Sequence, residues 1–242
     1  MSDNERVALV TGASTGIGAS IAEHMLDDGY TVLNLSRRAS ANPRDGLIDV
    51  PVDLADVEET QAVMKELAST HKITTLVHNA GVIRPDLIED VKLDDVAYVT
   101  RLHIYASITM IQAVLDTMKA EKFGRVVLIS SRATLGLETR TGYASTKAGQ
   151  LVLARTWALE LGRHGITVNS VAPGPVVTDM FTELVPDDES ARKIAETIPV
   201  KRLGRPDDIA RAVMFLVAPE SGFITGQCLF VCGGASLGSL AL

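Results

Sequence analysis

The stretch that decides the fold is VALVTGASTGIGASIAEHML, which covers residues 7–26. An apolar run at 7–10 predicts a strand, and the apolar spacing from residue 17 onward predicts a helix. Between them, Gly12, Gly16 and Gly18 allow a tight turn and a close approach of the backbone to a phosphate. The helix N-terminus would offer that phosphate free N–H groups and the positive end of its dipole. A plain strand-to-helix turn could carry the same glycines, and the spacing is GxxxGxG rather than GxGxxG, but the position in the chain favours a dinucleotide site.

Outward from this turn, apolar runs alternate with amphipathic stretches along the chain. Strands are predicted at 7–10, 31–35, 73–77, 125–129, 166–171 and 228–231, and helices at about 17–28, 57–69, 93–119, 142–163 and 206–217. Such alternation is typical of parallel βαβ units. We therefore expect an α/β protein with one Rossmann-type domain over residues 1–242, a doubly wound parallel sheet and helices on both faces. The irregular segment 179–204 predicts a mobile flap with short helices over a substrate, or else an ordinary surface excursion.

Composition excludes several classes of protein. Of the 242 residues, 46% are hydrophobic and 22% charged, which excludes a disordered chain. The chain contains no apolar run of the ~18 residues that a membrane span needs, and its first residues lack the pattern of a secretory signal, so we expect a cytoplasmic protein. A net charge of −7 is a poor match for nucleic acid or anionic lipid.

The two cysteines, Cys228 and Cys232, lie in what the sequence predicts to be a buried strand. Four residues of strand span ~13 Å, which is too far for a disulfide. We expect two buried free thiols, as in a reducing compartment. Neither these cysteines nor the five histidines have the spacing of metal ligands, so no metal is expected.

The end of the second predicted strand indicates which dinucleotide is bound. An acidic residue about 20 positions past the glycines would bind the ribose hydroxyls and favour NAD(H). Here the residues are Ser36, Arg37 and Arg38. Arginine donates paired hydrogen bonds to phosphate. Although two solvated arginines on a turn would look the same, the sequence favours NADP(H) over NAD(H).

Tyr143 and Lys147 lie on one face of the predicted helix 142–163, one turn apart. Acid–base work near neutral pH needs the tyrosine pKa lowered by about 3, which is worth ~4 kcal/mol. One positive charge ~4 Å away at an effective dielectric of ~20 supplies about that much. A surface Tyr and Lys would share this spacing, so the pair alone is a weak signal.

Together, these motifs resemble those of the short-chain dehydrogenase/reductase family over nearly the whole chain. The matching segments, in order, are the glycine turn TGASTGIG at 11–18, Asp53 in VDL, the sequence Asn79-Ala80-Gly81, Ser131 with Tyr143 and Lys147, Pro173-Gly174 with Thr178, and the C-terminal run 204–234. The overall pattern resembles that of 3-oxoacyl-[acyl-carrier-protein] reductase-like members.

The resemblance implies a role for each matched residue. Ser131 would bind the substrate oxygen, Tyr143 would exchange the proton, and Lys147 would lower the Tyr143 pKa and bind the nicotinamide ribose, while hydride passes between nicotinamide and substrate. Val176 and Thr178 would hold the carboxamide. The implied cofactor-binding residues are Gly12, Ser14, Thr15, Gly16, Ile17, Gly18, Ser36, Arg37, Arg38, Asp53, Leu54, Asn79, Ala80, Gly81, Tyr143, Lys147, Pro173, Gly174, Val176 and Thr178.

Two departures from the family pattern concern the catalytic group. The family usually places an Asn that holds a relay water where this chain has His103. An imidazole both donates and accepts, so we hypothesise that His103 replaces it; a core or interface histidine is the alternative. Ser131 precedes Tyr143 by 12 residues, one fewer than is common, which leaves Ser130 as the alternative serine.

The sequence leaves three functions open. The leading interpretation is NADP(H)-dependent oxidoreduction of a small ketone or secondary alcohol. A 3-oxoacyl thioester is the second substrate class, although acidic carrier proteins favour basic partner surfaces and this chain is acidic. A catalytically silent NADP(H)-binding regulator is a minor alternative. The resemblance also implies a homotetramer, with the apolar tail 235–242 buried against a neighbour. Arg84, Arg132 and Arg140 are candidates for binding a substrate anion, or else ordinary surface arginines.

Overall fold

Seven strands alternate with eight α-helices in the computed structural model, which describes residues 6–237. The strands are β1 (Arg6–Thr11), β2 (Tyr30–Ser36), β3 (Leu47–Pro51), β4 (Ile73–His78), β5 (Gly124–Ile129), β6 (Ile166–Pro173) and β7 (Cys228–Val231). The helices are α1 (Gly16–Asp27), α2 (Val57–Thr70), α3 (Leu93–Thr100), α4 (Ala106–Ala120), α5 (Thr141–Leu161), α6 (Asp179–Leu184), α7 (Asp188–Thr197) and α8 (Pro206–Val217).

All seven strands form one parallel sheet in the order β3-β2-β1-β4-β5-β6-β7. The strand order reverses between β1 and β4, and such a switch point leaves a crevice at the carboxyl ends of the strands. The glycine turn after β1 and the Asn79-Ala80-Gly81 segment after β4 both lie at this crevice. The expected doubly wound Rossmann fold is confirmed.

Helices cover both faces of the sheet, which is why β1 is a nearly continuous apolar run. Val7 and Leu9 pack into a core shared with α2, α4 and α5. Ala8 and Val10 point to the other face and pack against α1 and α8. Because neighbouring residues of a strand alternate between faces, one short strand supports both layers.

The structure differs from the sequence predictions at the sheet edges and in one helix. The sequence analysis missed β3, whose residues LIDVP include an acid and a proline and are all partly or fully exposed at the sheet edge. The prediction that β7 is buried was wrong, because β7 is the opposite edge strand: Leu229 is 40% exposed and Cys228 is half-buried. Both cysteines are free, as predicted, and Cys232 is buried.

The predicted helix 93–119 is interrupted where α3 meets α4. Residues Arg101–Tyr105 form a π-helical turn between them. In segment 179–204, α6 and α7 are the short helices that the sequence predicted. Within residues 6–237, the structure contains no helix long and apolar enough to cross a membrane.

Candidate active site

The glycine turn has the shape of a phosphate cradle. A Cβ on Gly18 would collide with the carbonyl oxygen of Gly12 and would lie 2.5 Å from the Asn79 amide nitrogen. Thr15 caps α1 without a side-chain hydrogen bond, and the first turn of α1 carries no acidic residue. The N–H groups of this helix end are therefore not taken by a side-chain cap, and its dipole is not neutralised by a nearby carboxylate. This arrangement fits a pyrophosphate.

Asn34, which the sequence analysis did not single out, joins the glycine turn to the end of β2. Its carbonyl oxygen accepts hydrogen bonds from the Ala13 N–H at 3.0 Å and from the Ser36 hydroxyl at 2.6 Å, and its amide donates to Asp49 at 2.6 Å. The Ser14 hydroxyl donates to the main-chain carbonyl of Arg38. These bonds hold the predicted adenosine-side residues next to the turn.

Arg37 and Arg38 follow β2 as exposed side chains. Within the described part of the chain, neither forms a salt bridge to a carboxylate, although Asp49 lies close by in the Asn34 network. Two guanidinium groups without acidic partners at the end of β2 fit a 2′-phosphate. The structure therefore has two exposed positive side chains at the end of β2, as the sequence predicted.

Two further adenine-side predictions, Asp53 and Leu54, follow β3. The Asp53 carboxylate accepts the Ala55 N–H at 3.0 Å, and the residue is partly exposed. Leu54 is buried in the core shared with α2 and α4, so its main chain rather than its side chain could face a cofactor. Ile17 is partly buried against the other core.

A buried network not found from the sequence fixes the Asn79-Ala80-Gly81 segment. The Thr11 hydroxyl accepts the N–H groups of Asn79 at 3.0 Å and Ala80 at 2.9 Å, and it pairs with His78 Nδ1 at 2.9 Å. His78 Nε2 reaches the carbonyl of Leu102 in the π-turn at 3.1 Å. His78 therefore joins β1, β4 and the π-turn. Burial lowers the pKa of His78 to about 3, so the ring is neutral near pH 7.

The two candidate serines after β5 have different surroundings. The buried Ser130 hydroxyl donates to the main-chain carbonyl of Lys147 at 2.8 Å. The Ser131 hydroxyl accepts the Ala133 N–H at 3.1 Å, and it lies close enough to the Tyr143 side chain to lower the pKa of that phenol. The structure thus brings Ser131 to Tyr143, as expected from the resemblance, and gives Ser130 a place in the packing of α5.

Lys147 lies one helical turn from Tyr143, as the spacing predicted, with its Nζ 5.8 Å from the centre of the tyrosine ring. Nζ donates to the Ile129 carbonyl at 2.6 Å and to the Gln150 side-chain oxygen at 3.2 Å. Burial lowers the pKa of Lys147 to about 7. Burial also raises the pKa of Tyr143, while the Ser131 hydrogen bond and the charge of Arg140 act against that rise.

These pKa shifts differ from the sequence expectation, in which Lys147 lowers the pKa of Tyr143. An ammonium with a pKa near 7 is only partly charged at neutral pH, so it lowers the pKa of Tyr143 less than a full positive charge would. Because burial raises its pKa, the tyrosine holds its proton near neutral pH. It is therefore in the state of a general acid.

The π-turn brings His103 to the same place. Its ring lies edge-on to Tyr143, with 5.7 Å between ring centres. The Val82 N–H donates to Nε2 at 3.4 Å, so the proton sits on Nδ1, which pairs with the Thr146 hydroxyl at 2.8 Å. Burial, with the charge of Lys147, lowers the pKa of His103 far below its usual range. Both ring nitrogens are thus engaged and the ring is neutral, and the relay role stays a prediction.

The loop after β6 closes the other side of the site. The Gly174 N–H donates to the Val231 carbonyl at 3.0 Å, and a Cβ on Gly174 would lie 2.8 Å from the Cys232 Cα. Val176 is buried and pairs with Gly204. Thr178 caps α6, and a Cβ on Gly16 would lie 3.2 Å from its methyl group. The predicted nicotinamide-side loop, which starts at Pro173, therefore meets the glycine turn.

The three arginines flagged from the sequence lie around this site in different roles. Arg84 pairs with Asp95, and the Arg132 Nε donates to the Ala235 carbonyl. Arg140 caps the start of α5 and acts electrostatically on Tyr143.

This fold and this site define an NAD(P)-dependent oxidoreductase. Residues 12–236 match the sequence profile of a family described as enoyl-(acyl carrier protein) reductase. The 3-oxoacyl-[acyl-carrier-protein] reductase FabG of Vibrio harveyi is 37% identical over 95% of this chain and 96% of its own. The (2S)-[(R)-hydroxy(phenyl)methyl]succinyl-CoA dehydrogenase subunit BbsD of Thauera aromatica is 35% identical over 98% and 99%. The chain belongs to the short-chain dehydrogenase/reductase family.

Solved structures agree with this assignment. A protein of Beutenbergia cavernae described as an NAD(P)-dependent gluconate 5-dehydrogenase, with NADP bound at low occupancy, has a TM-score of 0.87 and 34% identity, covering 95% of this chain and 96% of its own. The ligand-free aldohexose dehydrogenase of Thermoplasma acidophilum has a TM-score of 0.91 and 26% identity, covering 98% and 96%.

Proposed function

We propose that this oxidoreductase uses NADP(H) in preference to NAD(H) and reduces a ketone to a secondary alcohol. The observation that carries the proposal is the placement of Tyr143, whose pKa burial raises, beside Ser131 at the carboxyl end of the sheet, where the glycine turn also lies. NADP(H) use is supported by Arg37 and Arg38 and by the NADP bound to the Beutenbergia cavernae relative.

The chain's own residues have separate roles in this mechanism. Ser131 holds the ketone oxygen, and Tyr143 donates a proton to it as the carbonyl carbon is reduced. Lys147 binds the nicotinamide ribose, Val176 and Thr178 bind the carboxamide, and the α1 N-terminus binds the pyrophosphate. When bound, NADPH supplies the hydride. As the oxygen gains the Tyr143 proton, the Lys147 ammonium stabilises the phenolate that remains.

Two substrate classes fit this reaction. The net charge of −7 favours a small ketone over the acidic carrier protein of a 3-oxoacyl group. The relatives from Vibrio harveyi and Thauera aromatica, a 3-oxoacyl-[acyl-carrier-protein] reductase and a succinyl-CoA dehydrogenase subunit, favour acyl thioesters. We propose a small carbonyl compound as the substrate and keep the 3-oxoacyl thioester as the second candidate.

NADPH consumption tests the proposal on a 3-oxoacyl thioester of coenzyme A and on cyclohexanone, side by side. Tyr143→Phe should lower turnover by about 100-fold or more, since it removes the general acid, and should leave NADPH binding within a few-fold. A variant that keeps its turnover would refute the assigned role of Tyr143. NADPH binding by the wild type without turnover of any ketone would favour the silent regulator.

Four further predictions remain proposals. We propose a homotetramer, a cytoplasmic location, a single domain over residues 1–242, and a flap formed by residues 179–204. The apolar residues exposed on α5 support the first, and α6 next to the glycine turn supports the last. Most of the tail 235–242, which the sequence analysis expected to be buried against a neighbour, lies outside the described residues.

A further inference from the structure

Gln150 is a fully buried polar side chain that the sequence motifs do not include and the mechanism above does not use. It lies on α5, three residues after Lys147. Its carbonyl oxygen accepts a hydrogen bond from Lys147 Nζ at 3.2 Å, and its amide nitrogen donates to the main-chain carbonyl of His103 at 3.1 Å. One side chain therefore joins the catalytic lysine to the π-turn.

The π-turn supplies the other end of this bridge. The His103 carbonyl also accepts the Ser107 hydroxyl at 2.6 Å. A carbonyl oxygen has two lone pairs, so these two side chains can occupy both. Single π-turns inside α-helices occur often at functional sites, and this one places its carbonyl toward α5 rather than solvent.

Lys147 needs such acceptors because it is 2% exposed. Within residues 6–237, no carboxylate forms a salt bridge with it, and its N–H donors go to Ile129 and Gln150. A buried ammonium without acceptors loses its proton, so each acceptor stabilises the charged form. Because these two acceptors fix two N–H groups of the Lys147 ammonium, they also fix the direction of its third N–H group.

We propose that Gln150 is a positioning residue that holds the Lys147 ammonium beside Tyr143 by bridging it to the main chain of the π-turn. This inference rests on the proposed function, because it assigns Lys147 to the nicotinamide ribose and to Tyr143. The titratable groups that face Lys147 are His78 from β4, His103 from the π-turn, and Tyr143 on its own helix, with Arg140 beyond Tyr143.

The sign of the expected effect follows from these charges. Both imidazoles are neutral above about pH 6, since burial lowers their pKa values. Loss of the Gln150 oxygen destabilises the Lys147 ammonium, so the Tyr143–Lys147 pair gives up its first proton at a lower pH. Ketone reduction needs the Lys147 ammonium to stabilise the Tyr143 phenolate that forms, and an anionic cofactor binds better to the ammonium. Both the reduction rate and the NADPH affinity should therefore fall at a lower pH.

The experiment compares the wild type with Gln150→Leu and Gln150→Met from about pH 6 to pH 10. NADPH binding is followed by fluorescence, and reduction is followed with cyclohexanone and with the 3-oxoacyl thioester of coenzyme A. We expect both falling limbs to move to lower pH by about half a unit or more in each variant. The control is Gln61→Leu, the same Gln-to-Leu change at an exposed position of α2. Its pH profiles for NADPH binding and for reduction should both superimpose on those of the wild type.

Each outcome decides the inference. Folded variants whose two profiles match the wild type would overturn it. Variants that both fail to unfold cooperatively on heating would also overturn it, since Gln150 would then be required by the fold and not by Lys147. A wild type that binds NADPH but reduces neither ketone would contradict the proposed substrate classes, while the NADPH profiles would still decide the bridge. A wild type that does not bind NADPH would overturn both.

Discussion

Two buried imidazoles should make the fold sensitive to acid. Burial lowers the pKa of His78 to about 3, and it lowers the pKa of His103 as well. Between about pH 6.5 and pH 3 the unfolded chain binds protons that the folded chain does not. The free energy of unfolding should therefore fall as the pH falls through this window, by up to about 1.4 kcal/mol per pH unit for each imidazole.

His78→Gln tests this prediction, because glutamine does not titrate. Urea unfolding at about pH 7, 5 and 4 should show a shallower acid loss than in the wild type, whatever the variant costs at neutral pH. His71→Gln, at a partly exposed position, should keep the wild-type slope. An unchanged slope in His78→Gln would mean that carboxylates, not this histidine, dominate the acid response.

The imidazole of His103 can be tested separately from its main chain. Gln150 contacts the His103 carbonyl, which His103→Ala retains. The relay hypothesis predicts that His103→Ala lowers ketone turnover and changes its pH dependence. Unchanged turnover across the pH range would remove the imidazole from the relay, and it would leave the ring as the partner of Thr146 and Val82.

At the residue scale, the sequence predicted those site residues that belong to short local motifs. Ser131, Tyr143 and Lys147 stand in local patterns, and the structure places them together. Asn34, His78 and Gln150 were missed as site residues because their partners lie far away along the chain: the Gln150 bond to His103 spans 47 residues. A buried glutamine one turn past Lys147 has no signature in one sequence.

The two arginines after β2 should set the choice of cofactor. Arg37→Ala and Arg38→Ala should each weaken NADPH binding by about tenfold, since a hydrogen bond to a charged group contributes about 1.5 kcal/mol or more. NADH binding should change by less than about twofold, because NADH lacks the 2′-phosphate. Fluorescence titration measures both constants, and Arg163→Ala is the control at an exposed position far along the chain. Equal losses for the two cofactors would contradict the assignment.

At the element scale, the predictions failed where the apolar pattern of a segment shows neither its local backbone geometry nor whether neighbouring elements cover it. Apolar residues recur three or four positions apart both before and after the π-turn, so the sequence gives no sign of where the helix is interrupted. The edge strands were misjudged for a related reason. Val50 in β3 and Leu229 in β7 look apolar in sequence, but a strand with one unpaired side is only partly covered.

At the scale of the whole molecule, Arg125 links several main-chain segments at the end of the sheet that lies away from the site. It is 3% exposed, on the second residue of β5, and its guanidinium donates to the carbonyls of Gly124, Gly165, Ala218 and Pro219. Arg125→Met should lower the free energy of unfolding by about 2 to 4 kcal/mol, because carbonyl groups lose a charged donor. Turnover per folded molecule should stay within about twofold, and Arg163→Met should change neither quantity.

The proposed homotetramer makes a prediction about α5. Val152 is 63% exposed and Leu159 is 87% exposed on this helix. Apolar side chains at neighbouring exposed positions of a long helix are typical of a protein–protein contact. Light scattering should give a mass about four times the 25.8 kDa of one chain. Leu159→Lys should shift that mass toward smaller species, because a lysine in an apolar contact would be desolvated without a partner.

Leu184→Lys makes the same change on α6, at a residue that is 37% exposed, and should leave the mass unchanged. A wild-type mass near 26 kDa would contradict the tetramer. An unaltered tetramer in Leu159→Lys would contradict the assignment of α5 to a contact. If dissociation occurs and NADPH affinity survives, the cofactor site is complete within one chain. If affinity is lost as well, assembly holds α5, and with it Tyr143 and Lys147, in the position that the site requires.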